Sequence, residues 1–197
     1  MRNLKSGILI FLIMAVLTGG VYPLVITVIA QTAFPDQANG SLIRSDGQVQ
    51  GSLLAGQKFT LPEYFWPRPS ISDYNALPSG ASNQGPTSAV LKQAVEDRAT
   101  ILTPYISVEI PADLLLASGS GLDPHISPDA ALAQIDHVAH ARNLSIVQKT
   151  HLTELVNQFI EQPQWGIFGA PRINVLRLNL AVDDMFGKPL LGGANRH

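Results

Sequence analysis

The chain has 197 residues, of which 46% are hydrophobic and only 14% charged, with a formal charge of −2 and no cysteine. Charged residues fall below the usual share of about a quarter, and the slight acidity argues against a nucleic-acid binder, which carries a basic patch or stripe. Without cysteine there is no disulfide, no thiolate metal centre and no thiol nucleophile.

From Ser6 to Pro35 no residue is charged, and residues 8–30 read ILIFLIMAVLTGGVYPLVITVIA. About 20 predominantly apolar residues cross the hydrocarbon core as a helix, so this run predicts a membrane span. A cleaved signal peptide is the alternative, because Arg2 and Lys5 precede the run and Val28-Ile29-Ala30 imitates a cleavage site. A signal core is about 7–15 residues; this run is longer, which favours an uncleaved anchor. Positive residues beside a span stay in the cytoplasm. Arg2 and Lys5 lie on one flank, whereas the other offers Asp36 and no positive residue before Arg44. The division expected is therefore 1–34 for the cytoplasmic end and span, and 35–197 for a domain outside. Ala15 and Gly19 have small-xxx-small spacing, with Gly20 beside them, and small residues let a second helix approach closely. Pro23 predicts a kink there.

Downstream, residues 51–61 (GSLLAGQKFTL) read as a strand. Residues 67–86 hold four prolines and many Ser, Asn and Gly; no regular element fits them, and loops of that length tend to be functional or disordered. Tyr64, Phe65, Trp66 and Arg68 are placed to anchor its first end. A helix is predicted over 87–102, with Val90, Leu91, Ala94, Val95 and Leu102 on one face. A proline-started turn follows at 111–116. Further helices are predicted at 128–142, with Leu132, Ile135, Val138 and Ala139 inward, and at 146–161, stopped by Pro163. RINVLRLNLAVD, 172–183, alternates like a strand, and the tail after Gly187 is expected to be loose. Strands near both ends with helices between predict an α+β domain.

The stretch ASGSGLDPHISPDAA, 117–131, gathers Ser120, Asp123 and His125. Its second half reads as a helix start, with Ser127 as N-cap, Pro128 in the first turn and Asp129 at the positive end. A serine hydrolase using Ser120 is the catalytic alternative, but G-x-S-x-G requires glycine where Ser118 and Leu122 stand. A phosphate cradle is the binding alternative. GSLLAGQKF (51–59) places Gly51 and Gly56 at P-loop spacing, yet Lys58 is displaced by one and no Ser or Thr follows it. His137, His140 and His151, with Asp136, form the metal alternative, and H-E-x-x-H is absent.

Four ordered blocks, GSLLAGQKFTLPEYFWPRPS, SGASNQGPT, SGSGLDPHIS and INVLRLNLAVD, follow the span. With it they resemble the C subunits of the bacterial Kdp potassium-transporting P-type ATPases over nearly the whole chain. Arg68-Pro69-Ser70, Ser79 to Thr87, Ser118 to Ser127 and Arg172 to Leu180 carry the motifs. Ala81 stands where glycine is usual, and Ala170 where glutamate often precedes the proline.

The resemblance implies one N-terminal transmembrane helix and a single extracytoplasmic α+β domain at the inner membrane. It implies an accessory, non-catalytic subunit with no cofactor of its own. Its partners would be a channel-like potassium-selecting subunit, a P-type ATPase subunit, a small hydrophobic subunit and the lipid bilayer. ATP and potassium would act through those partners. The family has also been described as raising the ATPase subunit's affinity for ATP. A domain outside cannot touch cytoplasmic ATP, so that effect requires transmission through the span near Gly19 and Gly20, or a reversed topology with a nucleotide-binding domain. The unopposed Arg2 and Lys5 favour the former. Candidate partner contacts are Ala15, Gly19 and Gly20 in the span, and Arg68, Ser70, Ser82, Asn83, Ser120, Asp123 and His125 outside. Protease added to intact spheroplasts is expected to digest the C-terminal domain; protection of that domain would reverse the topology.

Overall fold

The computed structural model describes residues 2–45 and 47–189. The chain divides into two units, with the boundary between Ser52 and Leu53.

In the first unit the apolar run is helical, as α1 (Arg2–Val16) and α2 (Tyr22–Ala33). Pro23 lies in the first turn of α2. Its ring would press on the carbonyl four residues back in a regular helix. The preceding residues, Leu17–Val21, open into a π turn, in which the Tyr22 N–H donates to the Leu17 carbonyl. This extra residue per turn is how the helix passes the proline. Thr18, Thr27 and Thr32 donate to the carbonyls of Met14, Pro23 and Val28, each at 2.8 Å, so their hydroxyls need no water. Among the described residues one helix, Asn3–Ala33, is long and apolar enough to cross a membrane. The unit ends with α3 (Pro35–Ala38) and an antiparallel hairpin, β1 (Leu42–Ser45) and β2 (Gln48–Ser52), whose register slips between Ile43 and Arg44.

The second unit is mixed α and β. It contains α4 (Ala89–Leu102), α5 (Ala112–Leu115), β3 (His125–Ile126), α6 (Pro128–Leu132), α7 (Ile135–Ala141), α8 (Ile146–Gln158), β4 (Ile173–Asn174) and α9 (Val175–Phe186). β3 and β4 pair antiparallel, His125 opposite Asn174 and Ile126 opposite Ile173. Side-chain caps start the helices: Ser88 for α4, Ser127 for α6, Ser145 with Gln148 as a capping box for α8, and Asn174 for α9. Each satisfies an amide that the first turn leaves orphaned. Phe65, Ile126, Val138, Leu152, Val156, Ile173, Leu178 and Val182 form the centre of one core.

Several expectations need correction. Residues 172–183 are not a strand: only Ile173–Asn174 pair, and the rest is α9. Alternating leucines here overlap a helical stripe, and Val175, Leu176, Leu178, Asn179 and Val182 are the buried set. The strand foreseen at 51–61 ends at Ser52. Beyond it the Gly56 N–H donates to the Leu122 carbonyl at 2.7 Å, turning the chain away from strand pairing. The helix foreseen at 128–142 is two, α6 and α7, broken at Ala133–Gln134. Val90 and Leu132 face outward, 66% and 39% exposed. Of the tail after Gly187, residues 190–197 lie outside the described residues.

Between β2 and α4 no helix or strand forms, yet Phe65 is fully buried. A buried backbone needs hydrogen-bond partners, and two side-chain amides supply them. Asn179 Oδ1 accepts from the Phe65 N–H at 2.8 Å while its Nδ2 donates to the Phe65 carbonyl at 3.0 Å. Gln134 Oε1 accepts from the Trp66 N–H at 2.7 Å, and its Nε2 donates to the Trp66 carbonyl at 3.2 Å and to the Ala130 carbonyl at 3.0 Å. Both amides are almost wholly buried. Each acts as a one-residue strand partner, Gln134 from the break between α6 and α7 and Asn179 from within α9. Asn179→Leu leaves the Phe65 N–H and carbonyl unpaired and is expected to cost about 3 kcal/mol, read by urea unfolding of the full chain in detergent.

Candidate functional site

The amide clasp fixes where Arg68 and Ser70 begin, and these residues grip the turn 118–127. The Ser118 N–H donates to the Pro69 carbonyl at 3.1 Å. Ser70 Oγ donates to the Gly121 carbonyl at 2.6 Å and accepts from the Tyr74 N–H at 2.9 Å. The Tyr74 hydroxyl donates back to the Arg68 carbonyl at 2.6 Å, and burial pushes its pKa up to about 12. Gly121 has φ +71°, and a Cβ there would lie 2.8 Å from Ser72 Oγ and 2.9 Å from the Gly80 carbonyl oxygen. Only glycine fits both the conformation and the space.

An ion pair joins the same two segments. Arg68 Nη1 lies 3.2 Å from Asp123 Oδ2. Asp123 Oδ1 accepts from the His125 N–H at 3.0 Å and lies 3.4 Å from its Nδ1. Burial pushes the Asp123 carboxyl upward, but the His125 hydrogen bonds and the Arg68 charge outweigh it and hold the pKa below the ordinary value. Beyond the turn, the Val175 N–H donates to the Pro124 carbonyl at 2.9 Å, and Asp113 Oδ2 accepts from the Ser127 N–H at 2.7 Å. Arg68, Asp113, Asp123, His125, Ser127 and Arg172, together with Ile126, Ala170 and Pro171, line a hollow of about 340 Å³. Phe59, Trp66, Pro67, Pro69, Tyr105 and Leu114 line a separate apolar hollow of about 350 Å³.

Four of the candidate residues, Arg68, Ser70, Asp123 and His125, thus belong to one junction. Ser120 sits at its edge, exposed, with its Oγ accepting from the Leu122 N–H at 3.1 Å. Among the described residues no hydrogen bond links Ser120 to His125, and the nucleophile–base contact of a hydrolase is not assembled. Ser82 is half-buried; Asn83 is exposed, with φ +53°. Lys58 pairs with Asp73 at 2.7 Å and is not presented to a phosphate loop. In the first unit, nothing lies within 4 Å of a Cβ built on Gly19 or Gly20, and Ala15 is exposed.

The histidines separate by burial: His140 and His151 are exposed, whereas His137 is 6% exposed. Its ring stacks on Trp66 at 4.4 Å, and Nε2 lies 3.4 Å from the Tyr64 carbonyl oxygen. Among the described residues no group of three His, Asp or Glu is placed to hold a metal ion.

Sequence reasoning missed the residues that carry this arrangement: Gln134, Asn179, and the Arg142–Asp183 pair. The Arg142–Asp183 pair closes at 2.7 Å with both side chains nearly buried. Arg142 Nε also donates to the Glu63 carbonyl at 2.7 Å, and the Tyr64 hydroxyl donates to Asp183 Oδ2 at 3.0 Å. Burial and then the Asp183 charge push the Tyr64 pKa up to about 12. The available signal was a polar residue at an inward position of an apolar helix, as at Asn179.

Such a chain, one apolar N-terminal helix and a mixed α/β domain whose glycine-rich turn and arginine-bearing loop form a structural junction, has the form of a membrane-anchored accessory subunit. Residues 4–184 match the family model described as "KdpC: K+-transporting ATPase, c chain". A Potassium-transporting ATPase KdpC subunit of Geobacter sulfurreducens is 49% identical over 190 residues, covering 94% of this chain and 99% of that protein. The same subunits of Dechloromonas aromatica and Methylococcus capsulatus are each 47% identical over 188 residues, covering 92% of this chain and 97% of theirs. The chain belongs to the KdpC family.

Burial lowers the His137 pKa, an effect that the Tyr64 carbonyl and Asp136 only partly offset. Below the ordinary value of about 6.5, the unfolded chain gains a proton there that the folded chain resists. Stability is therefore lost as pH falls from about 6.5 toward the depressed folded value. His137→Phe is expected to flatten the decline of Tm between about pH 6.5 and pH 5, followed by circular dichroism; parallel curves would count against a neutral buried imidazole.

Proposed function

We propose that this protein is the accessory, non-catalytic subunit of an ATP-driven potassium-uptake complex in the bacterial inner membrane. The observation that carries the reading is membership of the KdpC family over residues 4–184. The helix Asn3–Ala33 anchors the chain, with the Arg2 and Lys5 flank in the cytoplasm and residues 35–197 outside.

In this reading the span packs through Ala15, Gly19 and Gly20 against the channel-like subunit, and the outer domain sits over that subunit's external mouth. The small size of Ala15, Gly19 and Gly20 supports this reading, because it lets a neighbouring helix approach closely. Arg68, Ser70, Asp123 and His125 hold the junction rigid. Ser82, Asn83 and Ser120 are the outward candidates for partner contact. The ATPase subunit supplies the phosphorylated aspartate and the small hydrophobic subunit completes the assembly. Any influence on ATP affinity passes through the span, since the outer domain cannot reach cytoplasmic nucleotide.

The test is a complex purified with and without this chain. Potassium-stimulated ATPase activity is expected to fall at least tenfold without it, and the chain alone is expected to hydrolyse no ATP. Full activity without the chain, or turnover by the chain alone, would contradict the proposal.

A further inference from the structure

From Gln162 to Pro171 ten residues pass without a charge. Three of them, Trp165, Ile167 and Phe168, are 88%, 77% and 60% exposed. Apolar surface gathered this way marks interaction sites more often than scattered single residues do.

The loop is not slack. Gln164 and Phe168 exchange backbone hydrogen bonds at 2.9 and 3.0 Å, and the Gly166 N–H donates to the Pro163 carbonyl at 2.9 Å. At the base, Glu161 and Arg172 exchange another pair at 2.8 and 3.1 Å. Trp165 has φ +53° and Gly166 φ +74°. A tryptophan in the left-handed region is uncommon and persists only where its surroundings dictate it. The Trp165 and Phe168 rings meet edge-on at 6.0 Å. The apolar tip is therefore held outward before any partner arrives, which lowers the ordering cost of docking. Tryptophan is also enriched among residues that dominate binding energy.

The charges at the base choose between a protein and a lipid surface. The Glu161 carboxylate lies 3.2 Å from Arg172 Nε and 3.4 Å from Arg177 Nη1. Interfacial membrane anchors set aromatic residues beside Lys or Arg that are free for headgroups. Here both arginines share a carboxylate, and the tip itself is uncharged. Its complement is an uncharged, apolar pocket on a protein.

We propose that Trp165, Ile167 and Phe168 form a docking knob that seats in an apolar pocket on the outer surface of another subunit of the pump. The proposal rests on the accessory-subunit reading. Its test uses the full chain with Trp165 replaced by photoreactive benzoylphenylalanine, in membranes that also contain the other subunits. Irradiation is expected to yield an adduct with another subunit's polypeptide. A Trp165→Ala/Phe168→Ala chain is expected to copurify with those subunits at least tenfold less well, with its own thermal unfolding unchanged. Adducts with lipid alone or with a second copy of this chain would overturn the knob. So would full recovery of the complex by the double variant. If the complex copurifies normally and residue 165 makes no adduct, the knob fails and the accessory reading stands. If the unaltered chain copurifies with no other subunit, the accessory reading fails and takes the knob with it.

Discussion

Burying Phe65, with Trp66 half-buried beside it, without a strand or helix to pair them is the constraint on which the second unit is built. Peptide groups taken out of water must find partners, and a segment closed by Pro62, Pro67 and Pro69 cannot join a sheet ladder. Asn179 and Gln134 resolve this by presenting donor and acceptor together, as a neighbouring strand would. Their cost is two amides removed from water, recovered because every strong contact they make is to an otherwise unpaired backbone group. Gln134, at the break between α6 and α7, and Asn179, within α9, deliver their side chains to one segment.

The same clasp organises the outward-facing part of the domain. Directly after Trp66 the chain reaches Arg68 and Ser70, whose bonds to Asp123 and Gly121 seat the glycine-rich turn. Directly before it, Tyr64 joins Asp183 and Arg142, whose guanidinium lies 5.1 Å from the Tyr64 ring. A nearly buried ion pair is weak support by itself, since desolvation offsets attraction. Here the extra hydrogen bonds from Tyr64 to Asp183 and from Arg142 to the Glu63 carbonyl complete the coordination of both charges. Of the residues that look catalytic in the sequence, Asp123 and His125 are thus fixed by contact with each other, and Ser120 stands apart at the edge. That suits a subunit whose work is to hold a shape against its partners.

Much of this was legible in the sequence and some was not. The span was legible because thirty uncharged positions admit few alternatives. Ser127 as N-cap was legible because capping is local. The long irregular segment was legible from its prolines. Residues 172–183 misled because alternating leucines satisfy a period of two, while Asn174, which caps α9, and Asn179, which sits on its buried stripe, follow a helix instead. The clasp was out of reach because its partners are far apart in the chain, Trp66 with Gln134 and Phe65 with Asn179. No local pattern records such a pairing. The family blocks marked where the junction residues lie, and only the folded chain shows that Asp123 joins Arg68 to His125 while Ser70 holds the Gly121 carbonyl.

The claim that two side-chain amides hold the irregular segment in place is most directly tested by hydrogen exchange of the Phe65 and Trp66 amides in the full chain in detergent. The account predicts exchange as slow as that of the buried amides of α9, through global unfolding alone. Exchange on the timescale of the exposed 75–85 loop would show that the segment opens independently, and would contradict the role given to Asn179 and Gln134.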